Sequence, residues 1–97
     1  MVELTKESFS KWLTSLGSTS FAGVPGSCNA CPISRYLYSL YEDYDFNTTR
    51  LTIKVVPKKD RLNYVWHSTP EWAYEFIRKV DGIKQGTITA KECLELL

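Results

Sequence analysis

Residues 51–66 read LTIKVVPKKDRLNYVW, and the period of their apolar positions decides the fold class. Leu51, Ile53 and Val55 alternate with Thr52 and Lys54, and Leu62, Tyr64 and Trp66 alternate with Asn63 and Val65. Successive side chains of a strand point to opposite faces, so a period of two predicts two half-buried strands. PKKDR, from Pro57 to Arg61, supplies the turn of an antiparallel hairpin. A two-stranded ribbon is only marginally stable alone, so helices are expected to cover its apolar face. YDFN, from Tyr44, is a candidate third strand.

On both sides of the hairpin the period lengthens to that of a helix. Phe9, Trp12, Leu13 and Leu16 form one stripe behind Thr5, a capping residue, and Gly17 ends the segment. A loop, GSTSFAGVPGSCNA, leads to a second helix starting near Cys31 and Pro32, with Ser27, Cys28 or Asn29 as its cap. Its apolar face is Ile33, Tyr36, Leu37, Leu40 and Tyr41. Ser68 or Thr69, Pro70 and Glu71 open a third helix carrying Ala73, Phe76, Ile77 and Val80, with Gly82 as terminator. Thr89 and Glu92 form a capping box for a last helix with Cys93, Leu94 and Leu97. The expectation is an α+β single domain over residues 1–97, in the order α-α-β-β-α-α.

Twelve Lys and Arg against eleven Asp and Glu give a net charge of +1, which argues against a generally basic nucleic-acid binder. No apolar run approaches the ~20 residues of a membrane helix, and MVELTKESFSKW lacks a signal-peptide core, so a cytoplasmic protein without membrane contact is expected. Three cysteines, an odd count, suit a reducing compartment.

DGIKQGTITAKE, Asp81 to Glu92, resembles an EF-hand loop within residues 75–97: acid first, Gly86 sixth, Ile88 eighth, Glu92 last. The third and fifth positions, Ile83 and Gln85, leave the oxygen set short for a cation wanting six to eight ligands. Asp81 and Glu92 therefore read as punctuation of secondary structure. Cys28 and Cys31 have the spacing of a zinc or thiol-exchange motif, but His67 and Cys93 would have to complete a zinc site from distant, unpaired positions. No nucleophile elbow, phosphate loop or dinucleotide fingerprint is present, and no cofactor or enzymatic activity is expected.

GVPGSCNACPISRYL, the hairpin, PEWAYEFIRKVD and ITAKECLELL together are similar to short uncharacterised proteins of bacteria and phages, with a Cys-Pro helix start and a Pro-x-Trp helix. The resemblance implies a bacterial or phage origin and no chemistry. An aromatic content of 13% exceeds what so small a core needs, and Tyr and Trp are favoured at interfaces. The expected function is a small non-enzymatic binding protein, a regulator or inhibitor of another protein. Tyr38, Tyr44, Trp66 and Tyr74 are its candidate exposed aromatics, and Lys54, Lys58, Lys59 and Arg61 its cations. A structural zinc module and a single-stranded nucleic-acid binder, using the cationic hairpin beside Tyr64 and Trp66, are the alternatives.

Overall fold

The computed structural model describes residues 4–83 and 86–97. Among them the order is α1 (Lys6–Leu16), β1 (Phe21–Gly23), α2 (Pro32–Leu40), β2 (Tyr44–Thr48), β3 (Thr52–Pro57), β4 (Val65–Ser68), α3 (Glu71–Ile83), β5 (Ile88–Thr89) and α4 (Ala90–Leu96). The class is α+β, as the two periods require. The strands are more numerous than the hairpin alone: β2, β3 and β4 form one antiparallel sheet in that order, and β1 pairs with β5 in a second.

Capping chemistry explains the helix boundaries. Thr5 accepts the Ser8 amide at 3.1 Å and starts α1, and Gly17, at φ 91°, ends it in a conformation only glycine adopts freely. At α4 the capping box forms as read, with the Thr89 amide donating to Glu92 Oε1 at 3.0 Å and the Glu92 amide to Thr89 Oγ1 at 3.2 Å. The cap of α2 is not Ser27, Cys28 or Asn29 but Cys31, whose sulfur accepts the Ser34 amide at 3.5 Å, immediately ahead of Pro32. Gly82 does not terminate α3, which runs to Ile83; the left-handed glycine is Gly86, at φ 83°.

The second hairpin strand is shorter than the alternation suggested. β4 begins at Val65, because the connection from β3 continues past PKKDR through a turn in which the Asn63 amide bonds to the Asp60 carbonyl at 3.1 Å. Leu62 therefore lies outside the ladder and is 92% exposed, and Leu51, one residue before β3, is also exposed.

One core joins the elements. Phe9 is fully buried at its centre, with ring contacts to Trp12, Tyr36, Trp72 and Phe76 at centroid distances of 5.2–6.0 Å. The sheet contributes Phe46, Ile53 and Val55 from its inner face, and α2 and α3 contribute Ile33, Leu37, Phe76 and Ile77. Ser34 and Thr48 are buried polar residues that satisfy each other at 2.8 Å, which ties α2 to β2 without leaving an orphaned hydroxyl. β1 meets the start of α2 so closely that a Cβ on Gly23 would lie 2.5 Å from the Pro32 nitrogen. Beside the β1–β5 pair, the Ala90 amide bonds to Ser20 O at 2.9 Å and the Lys91 amide to Ser18 O at 3.0 Å. The loop before α2 is thereby fastened to the start of α4. No helix among the described residues is long and apolar enough to cross a membrane.

Candidate macromolecule-binding surface

The outer face of the three-stranded sheet follows from its register. Lys54 on β3 stands opposite Asn47 on β2 and Trp66 on β4. Because Ile53 and Val55 turn inward, Lys54 and Trp66 turn outward. Trp66 is 56% exposed and Tyr64 44%, and their rings meet edge to face at 6.2 Å. Lys54 Nζ lies 4.1 Å from the Tyr64 centroid and 5.5 Å from that of Trp66. Each cation–π contact of this kind contributes about 0.5–1 kcal/mol when exposed. The three side chains thus hold one another in place while leaving both ring systems accessible.

A second pair lies nearby in sequence. Lys58 Nζ donates to the Tyr38 hydroxyl at 2.7 Å and sits 4.3 Å from the centre of its ring. That hydrogen bond raises the lysine pKa above its ordinary value. Arg61 is bound by Asp45 on β2, an exposed ion pair of small energetic weight. The cationic hairpin is therefore neutralised in part by a carboxylate of β2. Tyr44 and Lys59 are exposed, whereas Tyr74 is half-buried on α3 and joins neither cluster. Its position beside Ala73, on the flank of the apolar stripe, accounts for that burial.

Between α2 and β2 runs a groove of about 650 Å³ that the sequence did not announce, lined among others by Trp12, Arg35, Tyr38, Asp45, Asn47 and Arg61. Arg35 is held there by the Phe21 carbonyl at 3.0 Å and by the Phe21 ring at 4.4 Å. These residues come from four separate segments, and only their side-chain types, not their spacing, hinted at a shared site.

The two carboxylates of the EF-hand-like loop have structural partners. Asp81 Oδ1 accepts the Gly26 amide at 3.0 Å, and Glu92 serves the α4 cap, so both carboxylates of the EF-hand-like loop bind backbone donors. Gln85 lies outside the described residues. α1, β1 and α2 have the same helix–strand–helix order as α3, β5 and α4, and the two segments meet through β1 and β5. The likeness is not visible in the sequence, since residues 17–31 contain no Asp or Glu.

Cys28 is exposed, and Cys31 and Cys93 are buried. Burial raises the Cys31 thiol despite its place at a helix start, and it pushes Cys93 up to about 12, helped by the Glu92 charge. Both are therefore neutral thiols at physiological pH and poor nucleophiles. His67 sits opposite Ile53 on β4, and no three of the His, Cys, Asp and Glu side chains converge among the described residues.

No family model, curated protein or solved structure matches the chain. Its function has to be read from this surface.

Proposed function

We propose that the chain is a small non-enzymatic binding protein, a regulator or inhibitor that engages another protein through the outer face and edge of the β2–β3–β4 sheet. One observation carries the reading: Trp66, the residue type most enriched in interface hot spots, is 56% exposed on an edge strand, with Tyr64, itself 44% exposed, against its ring. A tryptophan held by Lys54 and Tyr64 has already lost much of its rotamer freedom, which reduces the entropic cost of docking.

A photocrosslinking amino acid at position 66 tests this, with the same group at exposed Glu7 on α1 as the control. Discrete adducts to one protein from position 66 and none from position 7 are expected. Indistinguishable adducts from the two positions refute the reading.

Single-stranded nucleic acid is the second reading, and the Lys54–Tyr64–Trp66 arrangement favours it, since bases stack on such rings beside a cation. Tryptophan quenching by an oligothymidylate that weakens steeply with salt is its signature. The near-neutral charge of the chain places it behind protein binding.

A further inference from the structure

We infer that the free edge of β4 is a self-pairing surface, on which a second copy of this chain lays its own β4 antiparallel about Trp66. The inference rests on the reading of this sheet as a protein-binding face and names the partner.

The hydrogen-bond alternation fixes which peptide groups are open. The Thr49 amide bonds to Thr52 O at 2.8 Å and the Lys58 amide to Asp43 O at 3.0 Å. In the antiparallel register this assigns the peptide groups of Thr52, Lys54 and Val56 to β2. Ile53 and Val55 then face β4 and bond with His67 and Val65, and the Thr69 amide continues that ladder to Leu51 O at 3.0 Å. By the same alternation Trp66 and Ser68 aim N–H and C=O away from β3. Among the described residues β4 pairs with β3 alone.

The two edges of the sheet are treated differently. β2 carries Asp45 on its edge, and its end is occupied by the Thr48 amide bonding to Cys28 O at 2.8 Å. Residues 62–69, LNYVWHST, contain no Asp, Glu, Lys, Arg or Pro, the residues with which proteins keep an edge strand single. Val65 is 51% exposed within that run.

Charge selects a second copy over a charged strand. β4 has no formal charge with which to recognise an acidic or basic partner, and none to repel itself. With the two-fold axis at Trp66, the two Trp66 residues face each other and Ser68 faces position 64 of the other copy. The nearest repeated cation is Lys54, one strand further in on each side. Each Lys54 ammonium is held against the Tyr64 and Trp66 rings of its own copy, whose π faces offset part of its repulsion for the other.

Sedimentation equilibrium of the full chain from about 1 µM to about 1 mM tests the inference. A species of twice 11.2 kDa is expected in the upper part of that range, with amide chemical-shift changes on dilution concentrated at residues 64–68. Two variants remove it. Ser68→Pro deletes an outward donor and leaves the β3 ladder intact, and Trp66→Lys places two cations on the axis. Both should sediment as monomers with unchanged far-ultraviolet circular dichroism. A wild-type chain that stays monomeric overturns the inference, as does a dimer whose dilution shifts lie elsewhere or that survives both substitutions. Crosslinks from position 66 to a different protein, with a monomeric wild type, retain the protein-binding reading and discard self-pairing. A dimer whose crosslinks from position 66 join only two copies of this chain retains both, with the chain itself as the partner protein.

Discussion

Phe9 and Trp66 are both large aromatic residues in regular secondary structure, and they have opposite surroundings. Phe9 is fully buried and touches four other rings. Trp66 touches one ring and one lysine, with more than half of its surface in solvent. Burial of the first removes apolar area from water within the chain; the second leaves that free energy unspent until something covers it. The contrast separates aromatic residues that make the fold from those available to a partner.

Substitutions can break or sharpen that contrast. The largest effect is expected from Phe9→Ala, which opens a cavity where five rings meet and should lower stability by about 3–5 kcal/mol in urea denaturation. A loss below about 1 kcal/mol would mean that the aromatic cluster is not the centre of the core. Gly23→Ala comes next, at about 1–3 kcal/mol, because its Cβ would meet the backbone of Cys31 and Pro32 at 2.5–2.8 Å and neither can rotate away. An unchanged melting temperature would show that β1 can retreat from α2.

A graded effect, small just above pH 9.0, belongs to alkaline solution. Cys93 is neutral in the fold with a pKa raised from 9.0 to about 12, so its contribution is complete below pH 9.0 and is lost as pH rises toward about 12. Urea midpoints should fall above pH 9.0, and part of that fall should vanish in Cys93→Ala. A decline identical in the variant would assign the alkaline sensitivity to other groups. Smallest of all is Trp66→Ala, whose cost should not exceed about 1 kcal/mol, the scale of one exposed cation–π contact. A larger loss would make Trp66 a structural residue and remove the basis of the contrast.

What could be read in advance follows the physics of each element. Thr5, Gly17 and the Thr89–Glu92 pair mark helix ends through local chemistry that needs no tertiary partner, and all three act as read. The stripe of Phe9 and Leu13, and that of Ala73, Phe76, Ile77 and Val80, are buried for the same reason. β1 and β5 could not be foreseen, since strands of three and two residues have no period to detect. Leu62 and Tyr64 keep step with Trp66 in sequence yet precede the strand, because alternation records residue order and not where a turn releases the chain. Of the surface, the exposure of Trp66 and the cationic hairpin were legible, whereas the alternation set Trp66 among the apolar positions and Lys54 on the other face. That Lys54 stands opposite Trp66, that Arg35 enters the groove and that Tyr74 turns partly inward depend on where the turn releases the chain and on the packing of distant segments.

The bonds from Ala90 and Lys91 to Ser20 and Ser18 join segments about three-quarters of the chain apart. Closing so wide a circuit carries a large entropic cost before any contact compensates it. Contacts within the β2–β3–β4 sheet, by comparison, join strands that are neighbours in sequence and close only short circuits.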